Sequence, residues 1–335
     1  MSHIYITEHG TVLGINGGRF VIRYADGREE EIPKNLISGI SVMAKASLTA
    51  TCIQFCLTEN IPVGFFSQAG SYFGCLSGIE NKSIIRVKKQ IQMFEDDVFS
   101  KILSERVVHA KINNQMVVLK RYMYTRKKGS AYNLFPMRNA RRKAQETTGD
   151  NWKYQIKGYE GIAAKTYFEI MSDLLPDECR FQGRSRIAKD PVNALLNLGY
   201  SMLRKEIYGY IEERGLNPFC GFMHENREGH SSLASDLIEE WRAPIVDATV
   251  FSLFLNHEFP EELYSFDENG CCLLEQDGIH LFLEKMEQKL HTQMQYLSYI
   301  RKPLTFRKAI WHQTEKMAKA IDSGRAKLYQ PIILR

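Results

Sequence analysis

The feature that most limits the fold is a change of hydrophobic period near residue 83. Before it, short apolar runs alternate with polar residues or stop at turn signals, as half-buried strands do. "TVLGINGGRFVIRY" places two strands around Asn16-Gly17-Gly18, a hairpin turn signal, and Asp26-Gly27 predicts a second turn of the same kind. "ISGISVM" and "NIPVGFFSQAGSYFGCLSG" continue the strand pattern. One exception lies at residues 47–60, where Leu48, Cys52, Phe55 and Cys56 recur at helical spacing and Ser47 is placed to cap. After residue 83 the period is helical. Val87, Ile91, Phe94, Val98 and Ile102 form an apolar stripe that runs on into "VVHAKINNQMVVLKRYMY". "KKGSAYNLFP" predicts a break, and further helices are expected over 138–148, 151–178, 189–213, 231–257, 277–298 and near 305–322. The expected fold is α+β. A small N-terminal β-sheet domain with one short helix (residues 1–80) precedes a larger all-α domain (81–335), with the junction near 75–90.

A chain of 335 residues with 44% hydrophobic side chains can bury a substantial core. Its net charge of +5 says little, but the charge is unevenly spread. Residues 81–150 carry 16 basic and 6 acidic side chains, and residues 299–335 carry 9 and 2. The stretch 151–298 is net −10. Two basic regions suited to a polyanion therefore flank an acidic region suited to cations. Solvated helix faces and a basic tail would give the same distribution. No apolar run approaches membrane-spanning length and no signal peptide is apparent, so neither membrane nor export is expected. Seven cysteines without metal-site spacing, Cys52 and Cys56 among apolar neighbours, fit reduced thiols in a cytoplasmic protein.

Three elements of the acidic stretch carry metal-binding chemistry. Glu160, in "IKGYEGIAAKTYF", adjoins the apolar side of a helix (Ile156, Tyr159, Ala163, Tyr167, Ile170), between Gly158 and Gly161, whose small size would allow close helix approach. His224 ends the loop "NPFCGFMH", with His230 as the alternative imidazole. In "SSLASDLIEEWRAP", Ser231 or Ser232 can cap a helix whose core face is Leu233, Leu237 and Ile238; Asp236 and Glu239 are neighbours on one face and Glu240 competes with them. Each element also has an ordinary reading: a surface glutamate, a satisfied histidine, an acidic face paired with Arg242. Two carboxylates and one imidazole suit Mg²⁺ or Mn²⁺. Beside basic surfaces, such an ion suits phosphodiester chemistry. Tyr200 and Tyr208 are possible covalent nucleophiles, although helical tyrosines more often pack or contact DNA.

These segments resemble the CRISPR-associated integrase/endonuclease family of spacer acquisition along nearly the whole chain. "HIYITEHGTVLGINGGRFVI" is similar to that family's first hairpin, and "NKSIIRVKKQ" and "AKINNQMVVLKRY" to the start of its helical domain. "RIAKDPVNALLNLGYSMLRKEI" resembles its central helix, with Asn193, Asn197 and Tyr200 at matching positions. "GFMHENREGHSSLASDLIEEW" resembles type I versions, subtype C in particular, with Trp241 where Phe is more usual. The resemblance implies Glu160, His224 and Glu239 as catalytic metal ligands for Mg²⁺ or Mn²⁺, with Asp236 as an accessory acid. It implies a metal-dependent DNA integrase/endonuclease that inserts short prespacer DNA into a CRISPR array by 3′-hydroxyl transesterification. The implied partners are double-stranded and branched DNA, a second copy of the chain, and a small second CRISPR adaptation protein. Arg86, Lys88, Lys89, Lys111, Arg121, Arg141, Arg142, Tyr200 and Arg242 are candidates for DNA contact. Arg301, Lys302 and Arg307 are candidates for DNA or for the partner protein.

Overall fold

The computed structural model describes residues 2–67, 70, 72–76, 78, 83–127, 131–179 and 181–335. Eight strands and one helix come first: β1 (Ser2–Ile6), β2 (Val12–Asn16), β3 (Arg19–Arg23), β4 (Glu29–Pro33), β5 (Ile37–Val42), β6 (Ser47–Leu48), α1 (Ala50–Thr58), β7 (Val63–Phe66) and β8 (Tyr72–Leu76). One sheet has the order β1-β5-β7-β8, parallel except for β8. The other has the order β4-β3-β2-β6. Ile4, Ile6, Leu13, Phe20, Ile40, Val63 and the α1 thiols Cys52 and Cys56 form one core.

The first turn is as expected: β2 and β3 pair from Asn16 to Arg19, and Gly17 and Gly18 both take positive φ. The second differs. Arg23 pairs with Glu29, so the Asp26-Gly27 connection is a longer loop closed by the Tyr24 N–H on the Arg28 carbonyl. Ser47 belongs to β6 rather than to a cap. Thr49 caps α1 by accepting from the Cys52 N–H.

Ten helices are described in all. The nine after β8 are α2 (Ile84–Glu95), α3 (Asp97–Arg126), α4 (Phe135–Lys143), α5 (Trp152–Leu174), α6 (Pro191–Glu213), α7 (Ser232–Trp241), α8 (Ala248–Leu255), α9 (Gln276–His291) and α10 (Phe306–Ser323). The stripe from Val87 to Ile102 is not one buried face. Asp96 is extended and caps α3 on the Val98 and Phe99 N–H groups, so the chain bends there, leaving Val98 67% and Ile91 46% exposed. Of the expected break at "KKGSAYNLFP", Lys128, Gly129 and Ser130 lie outside the described residues; Lys127 ends α3 in a left-handed cap. The helix expected over 231–257 is interrupted by a π-helical turn, Arg242–Asp247. Pro244 explains it: it has no N–H to donate and its ring would collide with an α-helical carbonyl one turn back.

α3 runs through the helical core, packed against α5 and α7, and α6 packs on α7 and the π turn. These four helices carry the acidic side chains of interest to one place.

Candidate metal centre

Glu160 on α5, His224 on the α6–α7 loop and Glu239 on α7 converge, and the helix between them supplies a cation. Lys111 of α3 contacts Glu160 Oε1 closely, and its Nζ lies 2.5 Å from Glu239 Oε2. His224 Nε2 is 3.8 Å from Glu239 Oε1, and Arg242 Nη1 is 3.2 Å from the same oxygen. Glu239 is only 2% exposed, so its charge must be balanced from within the protein. Burial opposes the ionised form, but Arg242, Lys111 and His224 outweigh it and hold the carboxyl below its usual range. Burial likewise works against the Lys111 ammonium, and Glu160 and Glu239 overcome it.

Asp236 holds the imidazole rather than facing the cation. Its Oδ2 accepts from the Phe222 and Met223 N–H groups at 2.6 and 3.1 Å, and its Oδ1 from the His224 N–H at 2.9 Å and the ring Nδ1 at 2.7 Å. A carboxylate can only accept, so Nδ1 carries the hydrogen and Nε2 is left for a ligand, the arrangement expected behind a metal-bound histidine. For His224, burial would lower the pKa, but the hydrogen bond and charge of Asp236 raise it above the ordinary value. The loop lies flush on α7. At Gly221 an added Cβ would sit 2.6 Å from the Ser232 carbonyl carbon and 2.8 Å from Asp236 Oδ2. Ser232 pins that loop by accepting from the Gly221 N–H and donating to the Phe219 carbonyl, so neither serine caps α7 through its side chain.

Two expectations change here. Glu240 points away from the centre: it is fully buried and receives Tyr329 Oη, Gln313 Nε2 and the Ile332 N–H. Burial pushes its carboxyl up to about 8 despite those bonds. Gly158 and Gly161 do not serve helix packing, since an added Cβ at either meets nothing within 4 Å. Two residues before and one after Glu160, they face solvent away from its side chain. His230 stands next to His224, ring centres 6.1 Å apart, and does not join the carboxylates.

The basic candidates fall into different settings. Lys111 is 7% exposed and belongs to the carboxylate cluster, not to the surface. Arg242 is part of the same cluster. Tyr200 donates to Asp247 Oδ1 at 2.5 Å, and the Arg184 and Arg242 guanidinium groups lie 5.2 and 4.9 Å from its ring centre. Arg86 pairs with Asp322 and donates to the Arg214 carbonyl, Arg141 donates to Asn113, and Arg142 pairs with Glu146. Lys88 and Arg121 are exposed, and Lys89 is half-buried. Arg307 is half-buried and pairs with Glu206 and Glu287. Arg184 escaped the sequence reading. Asn193 and Asn197 hold it over Tyr200, and only its place just before the α6 cap hinted at it.

Two carboxylates and one imidazole with a free nitrogen are donor types a divalent cation takes; among the described residues they are not drawn into a group of three that could hold one, and Lys111 stands between the two glutamates. The family model for the CRISPR associated protein Cas1 matches residues 4–288. The chain belongs to the Cas1 family. A Mycobacterium tuberculosis relative described as "CRISPR-associated endonuclease Cas1" is 28% identical over 97% of this chain and 95% of its own length. Among solved structures, a casposase bound to integration product superposes with a TM-score of 0.88 at 23% identity, covering 100% of this chain and 96% of that one. A Cas6-RT-Cas1–Cas2 complex gives 0.84 at 19% identity, covering 100% of this Cas1 family member and 36% of that chain. No described helix is long and apolar enough to cross a membrane.

Proposed function

We propose that this Cas1 family member is a metal-dependent DNA integrase/endonuclease that joins the 3′-hydroxyl ends of short prespacer DNA to CRISPR repeat DNA by transesterification, in the cytoplasm. The observation that carries the reading is that Lys111 joins Glu160 to Glu239 while His224 lies beside the other Glu239 oxygen. Glu160, His224 and Glu239 would hold Mg²⁺ or Mn²⁺. When bound, such an ion would supply Lewis-acid stabilisation of the phosphate and a lower pKa for the attacking hydroxyl.

The chain's own residues supply the rest. Asp236 fixes the His224 tautomer. Arg242, whose Nε is buried without a hydrogen-bond partner among the described residues, sits where it can offset phosphate charge. Exposed Lys88 and Arg121 would add salt-dependent, sequence-independent grip.

The solved complex of a Cas1 with Cas2 supports a small second adaptation protein as partner, with the strand-rich residues 1–80 serving dimerisation and DNA contact and residues 81–335 carrying catalysis. The segment from Gly221 to Trp241 supports assignment to a type I, subtype C system. The test is strand joining by the purified chain plus that small partner, using a labelled duplex with 3′-hydroxyl ends and a supercoiled repeat plasmid. Joining with Mn²⁺ or Mg²⁺ that disappears with EDTA, Glu160→Ala and His224→Ala is expected. Cleavage without joining would replace integration by plain hydrolysis, and activity surviving both substitutions would overturn the ligand assignment.

A further inference from the structure

Lys111 stands at an unusual place for a lysine. It lies on the inward face of α3 between Ala110 and Ile112, both fully buried, and is itself 7% exposed. Among the described residues its ammonium has only Glu160 and Glu239 as hydrogen-bond or ion-pair partners. Those are two of the three side chains that would hold the metal. We propose that Lys111 is an internal competitor for the divalent cation: in the metal-free chain its ammonium neutralises Glu160 and Glu239, and metal binding must displace it. This rests on the metal-centre reading above.

The physical case has three parts. A buried carboxylate such as Glu239 cannot be left uncompensated, so without a metal the fold needs a cation at this position, and Lys111 reaches it. A divalent ion held by the same oxygens would face a third positive charge at close range, in surroundings that screen poorly. The two cations therefore exclude one another from the shortest contacts. Finally, a lysine can yield. Its amine is a point charge on a flexible four-carbon stem, unlike the planar fork of arginine. Arg242 stays beside Glu239, so the carboxylate keeps a cationic neighbour when Lys111 leaves.

The test is Mn²⁺ affinity of the full chain without DNA, read by the loss of the free-ion electron paramagnetic resonance signal, which does not depend on activity. Lys111→Met, matched in length and uncharged, should bind Mn²⁺ at least about tenfold more tightly than wild type because a like charge is removed. Lys111→Arg should not gain affinity. Equal or weaker binding by Lys111→Met, as expected of a lysine that merely props the helices apart, would overturn the proposal. Glu160→Ala and Glu239→Ala separate the two levels. If both bind Mn²⁺ like wild type, the metal centre itself is misassigned. If both lose it and Lys111→Met gains nothing, only the competitor role falls. Should Lys111→Met purify unfolded, refolding in Mn²⁺ must restore its circular dichroism; failure to do so counts against the proposal.

Discussion

At the scale of single residues, Asp236 does more than its acidity suggests. Its carboxylate receives three backbone N–H groups and the His224 ring. Asp236→Ala leaves those buried donors unsatisfied and should cost about 3 kcal/mol or more in urea unfolding, since each lost buried partner is worth ~1–3 kcal/mol. Asp236→Asn keeps the size and some of the acceptors but lets the imidazole turn. Mn²⁺ affinity should fall by about 10–100-fold with a smaller loss of stability, the usual cost of removing the group behind a ligating histidine. If Asn binds Mn²⁺ like wild type, Asp236 serves the loop and not the metal. The sequence paired Asp236 with Glu239 correctly as helical neighbours. It did not separate their roles, because which of two adjacent acids meets the loop and which meets α3 depends on how α7 is rotated in the core.

At the scale of elements, the C-terminal segment closes the back of α7 and α3. Asn114 donates to the Glu240 and Ile332 carbonyls and accepts from the Leu334 N–H; Gln313 links Trp241 to Glu240 and Tyr329. All but Leu334 of this network are buried, and it ties the last residues and α10 to the two helices that carry Lys111 and Glu239. Asn114→Ala should destabilise by about 2 kcal/mol or more, the cost of orphaning buried backbone groups, and should raise amide exchange at Ile332 and Leu334 first. Unchanged exchange there would show that the tail is held by its apolar side chains alone. The helices were legible because apolar spacing is local, but α7 has no single core face: Leu233, Leu237 and Ile238 are buried, and so are its other seven residues. The Val87–Ile102 stripe misled because periodicity counts residues and does not see that Asp96 prefers to cap.

At the scale of the whole molecule, the strand-rich and helical parts meet through charged groups. Arg307 of α10 binds Glu206 and Glu287, and Tyr5 of β1 donates to Glu287 at 2.6 Å. These groups are half-buried, and Tyr5 and Tyr210 remain on the two carboxylates, so Arg307→Ala should cost about 1–2 kcal/mol, the loss of charge-assisted hydrogen bonds. Lys205 of α6 is different: it presses into the sheet at Gly64, and among the described residues its amine has the Ile40 carbonyl, 3.4 Å away, as its one hydrogen-bond acceptor. Burial, its largest influence, lowers its pKa to about 8. A lysine depressed in the folded state favours folding above its unfolded value and weakens it as pH falls through the folded one. Lys205→Met should therefore stabilise at pH 7, by up to about 3 kcal/mol, with the gain fading between about pH 8 and 10.5. A gain independent of pH in urea titrations would refute the charged lysine as its source.

The order of strands and helices and the hairpin at Gly17-Gly18 were determined by the sequence, because turn chemistry and periodicity are properties of neighbouring residues. Tertiary structure decided the rest. Lys111 looks like one more cation on a basic helix until α5 and α7 bring Glu160 and Glu239 against it. Glu240 looks like Glu239 until the C-terminal segment covers it. Gly158 and Gly161 look like packing residues until the space beside them proves open. Each of these depends on which groups from distant parts of the chain share a low-dielectric interior, and burial of charge cannot be read from spacing along the chain.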